Sequence, residues 1–318
     1  MKRALIFGVS GQDGAYLSEF LIKKGYTVFG TSRFPSDIRM KNLDALGISA
    51  QVQYLAADPA EFRSVLYAID KTKPHEIYNL SGQTSVALSF KTPVETMSSI
   101  IIATQNILEA VRYVNLDMKL YNACSTEIFG GIEGVVDEET PFRPISPYGI
   151  SKAAAYWLTS NYRKNYGIYA CSGILSNHES PLRPDVFVTK KIINYVRLLE
   201  CSGYPGYKLQ LQNLGVMRDW GWAAEYVIAM WKMLQADTPQ DYLVATGQSY
   251  SLRQFVEYAF NSIGHEYYDF VEAKTEDIRP ADVTCSRMNI SRSKDELGWD
   301  PKVNMYGVID RLMANQLI

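Results

Sequence analysis

Cysteine is scarce and unpaired in this sequence. Only four occur in 318 residues (Cys124, Cys171, Cys201 and Cys285), none at C-x-x-C spacing, so no disulfide framework is legible and a reducing compartment suits them. Histidine is scarcer still. His75, His178 and His265 lie far apart, with no cysteine or acid at ligand spacing, which predicts no metal centre. An excess of one charge sign is also missing. The net charge is −2, which gives no electrostatic reason for nucleic acid or an anionic membrane as a partner. No apolar run approaches the ~20 residues that a membrane-spanning helix needs. "MKR" leads straight into "ALIFGVSG", with no leader-like apolar stretch. These absences point to a cytoplasmic protein.

What is present is an alternation. "RALIFG", "YTVFG", "VQYLA", "EIYNLSG", "KLYNACS" and "YACSGILS" read as buried strands, rich in Ile, Val, Leu and Tyr. Amphipathic stretches such as "AYLSEFLIKKG", "PAEFRSVLYAIDKTKP" and "ETMSSIIIATQNILEAVRYV" separate them. That order predicts an α/β fold, a doubly wound parallel sheet of Rossmann type. From about Asn177 the texture changes to more Pro, Arg and aromatics. We therefore expect a dinucleotide-binding domain over 1–176 and a smaller mixed α/β substrate domain over 177–215 and 248–318. Residues 216–247 should return to the first domain through the strand-like "YLVATG". Ser251 and Ser291 are expected to cap later helices.

"IFGVSGQDGAYLSEFLIKKGY" puts Gly8, Gly11 and Gly14 directly after a strand and at the start of a helix. A bare backbone there lets a dinucleotide pyrophosphate approach the helix N-terminus, where N–H groups and the macrodipole favour anions. The second strand is followed by Thr31, Ser32 and Arg33, with no acid before Asp37. A ribose 2′-hydroxyl would call for that acid, whereas Arg33 can fork onto a 2′-phosphate, so NADP is expected rather than NAD.

"SPYGISKAAAYW" begins with a Ser-Pro pair suited to a helix start. Tyr148 and Lys152 then share one helix face, four residues apart. A nearby ammonium lowers a phenol's pKa from about 10 and readies it to take a proton from a sugar hydroxyl. The spacing alone is weak: with 22 tyrosines in the chain, about one chance match is expected. Tyr67–Lys71 and Tyr204–Lys208 are such matches. Context separates Tyr148, because it follows the strand carrying Ser125, Thr126 and Glu127, whose C-terminal end should face the ligand crevice.

With these phrases in view, the sequence resembles the extended short-chain dehydrogenase/reductase superfamily, and within it the GDP-mannose 4,6-dehydratases, over nearly the full length. "EIYNLSGQTSVALSF", "NHESPLRPDVFVTKKI", "RDWGWAAEYV" and "YLVATGQSYSLRQFVE" carry the likeness beside the glycine loop and the Tyr148 helix. The resemblance implies NADP-dependent loss of water from a GDP-sugar, by hydride transfer from C4 to C6. It assigns Tyr148 as the base at O4, Lys152 as its electrostatic and ribose partner, Glu127 as the acid–base at C5 and C6, and Ser125 as the hydroxyl on O4. Gly8, Gly11, Gln12, Asp13, Gly14, Arg33, Leu80, Gln83 and His178 match cofactor positions. Ser85, Thr126, Asn177, Val188, Lys191, Arg218 and Arg279 match positions around the substrate.

Some residues depart from the family pattern. Leu55–Ala56 replace an Asp-Leu pair near the adenine, and Ser85 stands where relatives often have histidine. Ser125 replaces threonine but keeps the hydroxyl. The loop after Arg33 is short, which favours a homodimer over the family's tetramer. The apolar "SIIIATQNILEAV" reads either as sheet packing or as part of a subunit interface. Two rival readings share these residues: a nucleotide-sugar reductase or epimerase, which would not need Glu127, and a cofactor-binding homologue without catalysis.

Overall fold

Short apolar runs become the central sheet. The computed structural model describes residues 1–33, 40–114, 117–273 and 286–318. Its large sheet comprises β1 (Arg3–Phe7), β2 (Thr27–Ser32), β3 (Val52–Ala56), β4 (Glu76–Asn79), β5 (Lys119–Ser125), β6 (Ala170–Leu175) and β7 (Tyr242–Val244). They lie in the order β7-β6-β5-β4-β1-β2-β3, and every pairing is parallel. A parallel sheet is covered on both faces, which is why its strands read as unbroken apolar runs rather than alternating ones. β6 is buried at all six positions.

The helices Gln12–Lys23 and Ala223–Gln235 cover one face, packing Leu17, Leu21, Met230 and Met233 over Ala4, Ile6 and Tyr121. The helices Phe62–Thr72 and Ala103–Val114 cover the other, with Val65, Ile69, Ile107 and Val111 against Leu5, Phe7, Ile77 and Leu120. Each such side chain, fully buried, contributes roughly 1.5–3 kcal/mol. Strand order reverses between β1 and β4, so ligands belong in the crevice beyond their C-terminal ends.

A second core joins the helices Val188–Ser202, Leu252–Asn261 and Met305–Met313 to short strands. Ser251 caps the second of these helices in a full capping box with Gln254. Ser291 does not act as expected. Its hydroxyl donates to Asn289 Oδ1 at 2.7 Å, and Ile290 holds the cap position. The return to the large sheet begins at Ala223 rather than at residue 216. The strand Met217–Trp222 pairs instead with Asn177–Glu179 and Ser249–Ser251, because Trp220 and Trp222 both bury into the second core. The expected long helix around residues 95–114 is divided by one π-helical turn, Ser98–Ile102. Among the described residues no helix is long and apolar enough to cross a membrane.

Candidate active site

The chain turns sharply after β1. Gly8 adopts φ +88°, and a Cβ there would stand 2.6 Å from the Leu80 carbonyl oxygen. A Cβ on Gly14 would stand 2.4 Å from the Gly8 carbonyl oxygen. Neither site has room for a side chain. Their bare backbone lines a cavity of about 900 Å³ beyond the ends of β1, β4 and β5. Thr31, Ser32 and Arg33 line it as well, and the Thr31 hydroxyl is buried with no hydrogen-bond partner among the described residues. A glycine cradle, an unpaired hydroxyl and a guanidinium along one wall fit a phosphorylated dinucleotide.

At the opposite wall β5 ends in Ser125, whose Oγ accepts the Glu127 N–H at 3.3 Å and starts a 3₁₀ turn, Thr126–Ile128. The helix Pro147–Tyr166 begins against that turn. Ser146 Oγ accepts the Gly149 N–H at 3.0 Å, and a Cβ on Gly149 would lie 2.7 Å from the Glu127 carbonyl oxygen. A close approach at this glycine therefore brings Glu127 and Tyr148 into one space. Ser125, Thr126, Glu127, Tyr148 and Lys152 all line the cavity.

Lys152 Nζ donates to the Ala123 carbonyl at 2.7 Å. Burial pushes its pKa down, against the nearby Cys124 and Asp13. Burial also raises the Tyr148 phenol well above its usual range; the Ser125 hydroxyl pulls it down and the Glu127 charge adds to the rise. A nearby ammonium is expected to lower the phenol, and in the protein by itself burial outweighs it. Desolvation wins, and the ammonium is directed at a backbone carbonyl.

The glycine loop is clasped to the strand Asn177–Glu179. Gln12 Nε2 donates to the His178 carbonyl at 3.1 Å and Ser180 Oγ donates to Gln12 Oε1 at 2.8 Å. His178 Nε2 lies 3.0 Å from Asp13 Oδ2, and its Nδ1 lies 2.7 Å from the Ser176 carbonyl oxygen.

Of the remaining expected positions, Gly11, Gln12, Asp13, Leu80, Gln83, Asn177 and His178 line the cavity. Ser85, Val188, Lys191 and Arg218 are not among its lining residues. Ser85 Oγ accepts the Leu88 N–H as a helix cap, and Lys191 is exposed on the second-core helix. Arg218 Nη1 donates to its neighbour's carbonyl, Met217 O, at 2.8 Å. Arg279 lies outside the described residues. Leu55 and Ala56 pair with Thr31 and Ser32 in β3, and it is the following Ala57 and Asp58 that face the cavity. Arg183 and Phe187 also line it, with the guanidinium carbon 4.0 Å from the Phe187 ring centre. Sequence reasoning passed over Arg183, although it sits inside the quoted "NHESPLRPDVF".

Comparison with known proteins agrees with this geometry. A family model described as GDP-mannose 4,6 dehydratase matches residues 5–312. The chain is 40% identical to GDP-mannose 4,6 dehydratase 1 of Arabidopsis thaliana, covering 99% of this chain and 90% of that protein. It is 37% identical to the GDP-mannose 4,6-dehydratase of Vibrio cholerae serotype O1, covering 99% and 94%. Among solved structures, DesIV, a dTDP-glucose 4,6-dehydratase from Streptomyces venezuelae with NAD and TYD bound, superposes with a TM-score of 0.86 at 17% identity, over 99% of this chain and 97% of that one. RMD from Pseudomonas aeruginosa complexed with NADPH gives 0.80 at 20% identity, over 99% and 98%. These two likenesses establish the fold.

Proposed function

The chain belongs to the GDP-mannose 4,6-dehydratases, a family of hydro-lyases, and from that premise we propose that it converts GDP-mannose or a close GDP-sugar to the 4-keto-6-deoxy sugar with NADP as its cofactor. The observation that carries this reading is the single cavity that holds Ser125, Glu127, Tyr148 and Lys152 beside the glycine cradle.

In this reading Tyr148 takes the proton from the sugar O4 and Ser125 holds that oxygen by a hydrogen bond. Glu127 removes the C5 proton, and the same carboxyl group then protonates the departing C6 hydroxyl, which leaves as water. Lys152 supports the phenolate electrostatically and reaches the cofactor ribose. Bound in the cradle, an oxidised nicotinamide dinucleotide would supply a hydride acceptor and a positive ring charge beside the phenol. Gly8, Gly11 and Gly14 admit its pyrophosphate, and Thr31 and Arg33 its 2′-phosphate end.

The second unit, 177–222 with 248–318, holds the sugar nucleotide, which reaches the cofactor past Asn177 on the cavity wall. The protein acts in the cytoplasm, in keeping with its free, buried Cys124 and Cys171. It acts as a homodimer, for which the exposed apolar side chains Met97, Ile102, Ile150 and Trp157 on neighbouring helices provide a face.

The purified protein is incubated with GDP-mannose and catalytic NADP, and the sugar nucleotide is followed by mass. Loss of one water with no net cofactor reduction is the expected result. A net redox change or an isomer of unchanged mass would identify the reductase or epimerase instead.

A further inference from the structure

His178 has no acceptor role left to play. One ring nitrogen faces a carboxylate oxygen of Asp13 at 3.0 Å and the other the Ser176 carbonyl at 2.7 Å. Both partners accept hydrogen bonds, and a neutral imidazole has only one N–H to donate. We propose that His178 is carried as an imidazolium, and that this part-buried ion pair positions the glycine loop on the strand Asn177–Glu179 while neutralising Asp13 at the mouth of the anion site.

The surroundings are consistent with a held charge. The His178 ring stacks on Tyr226, 4.5 Å between centres, which favours a cation over the phenol face. Arg183 is the opposing influence, since its Nη1 donates to the His178 carbonyl at 3.2 Å. Its guanidinium is taken up by Glu179, with Nε 2.9 Å from Oε2. Asp219, on the adjoining strand, is occupied by Ser176 Oγ at 3.0 Å and by the Thr246 and Gln248 N–H groups. Asp13 is thus the carboxylate that meets the ring directly. Burial lowers the His178 pKa, and the Asp13 charge and hydrogen bond more than offset this and raise it.

The position gives the pair a consequence. Asp13 lies in the first turn of the helix that follows the glycine loop and lines the cavity. An uncompensated carboxylate there would repel a pyrophosphate arriving at the same N-terminus. The contact spans 165 residues of sequence, so it also fixes the cofactor loop against the wall that carries Asn177. This binding consequence rests on the dinucleotide reading proposed above; the protonation state does not.

The first test is ring-nitrogen NMR on full-length protein labelled at histidine, with the His178 signal identified by its loss in His178→Gln. That ring is expected to stay doubly protonated at pH values above the ordinary ~6.5 of a free imidazole. A His178 ring that loses its second proton at or below ~6.5 overturns the proposal. In the isosteric variant Asp13→Asn the ring should lose its proton at least about one pH unit lower, and an unmoved titration overturns the pairing. The second test titrates NADP onto wild type and Asp13→Asn between about pH 7 and 9, above the ~6 at which a phosphate monoester ionises. Wild-type Kd should rise about tenfold as the ring deprotonates, while Asp13→Asn stays flat. Equal slopes overturn the positioning role and leave the dehydratase reading untouched.

Discussion

The Lys152 ammonium stands 5.8 Å from the centre of the Tyr148 ring while donating at 2.7 Å to the Ala123 carbonyl. The lysine is therefore anchored to β5 rather than hydrogen-bonded to the phenol it is meant to assist. The phenol itself is raised, chiefly by burial. Proton removal at O4 requires the phenolate, and a raised pKa makes that form rarer at neutral pH. In the cofactor-free protein the phenol should accordingly ionise only above its ordinary ~10, read as the alkaline tyrosinate absorbance that Tyr148→Phe removes. Tyr148→Phe should lower kcat by about 10²–10⁴ while NADP still binds. Ionisation of that phenol at or below ~10 without cofactor would contradict this order of effects.

Glu127 is placed by a local device, the Ser125 cap and the close approach of Gly149. Glu127→Gln keeps the shape and removes the proton acceptor. Water loss should fall by at least about 10², whereas substrate-dependent deprotonation at O4 by Tyr148 is retained. Mass spectrometry of the product, alongside NADP reduction in a single turnover, separates the two steps. Turnover equal to wild type would remove Glu127 from the mechanism.

Much of this arrangement is legible in the sequence because it is local. The strands β1, β4 and β6 are short runs buried at nearly every position, and the Tyr148–Lys152 pair shares a helix face by spacing alone. Gly8 and Gly14 are marked by the absence of any room for a side chain. The rest depends on contacts with no sequence periodicity. Nothing near Asp13 announces a histidine 165 positions away. Ser85 reads as a substrate residue in the sequence, where nothing shows that its hydroxyl also accepts the Leu88 N–H and caps the helix Val86–Lys91. The strand Met217–Trp222 leaves the large sheet because two tryptophans two residues apart bury into the other core, a choice between cores that alternation alone does not make.

Arg33 follows β2 on the cavity wall, next to Ser32 and the Thr31 hydroxyl, which has no partner among the described residues. A charge-assisted hydrogen bond contributes about 1.5–3 kcal/mol, roughly 10- to 150-fold in affinity. Arg33→Ala should weaken NADP by that factor and leave NAD nearly unchanged, as measured by direct titration of both. Equal losses for the two cofactors would place Arg33 away from the 2′-phosphate.

Beyond the active site, Arg163 and Asp241 form a forked pair, Nη1 to Oδ1 at 2.9 Å and Nη2 to Oδ2 at 2.6 Å. Side-chain exposures of 16% and 7% make it a largely buried one. Asp241 also accepts the Ser172 N–H at 2.7 Å, and Arg163 donates to the Ala170 carbonyl at 2.7 Å. The pair thereby ties the helix Pro147–Tyr166 to β6 at the end remote from Tyr148. Replacing the pair together with apolar residues could be nearly neutral, because its Coulombic gain is set against desolvation. Removing one partner is different: Asp241→Ala leaves a guanidinium without its counter-charge and a backbone N–H without an acceptor. Unfolding free energy should drop by about 3–5 kcal/mol, read from chemical denaturation, with kcat per folded molecule held near wild type. A loss below about 1 kcal/mol, the range of an exposed surface pair, would show that the two charges are solvated in solution and do not hold the helix.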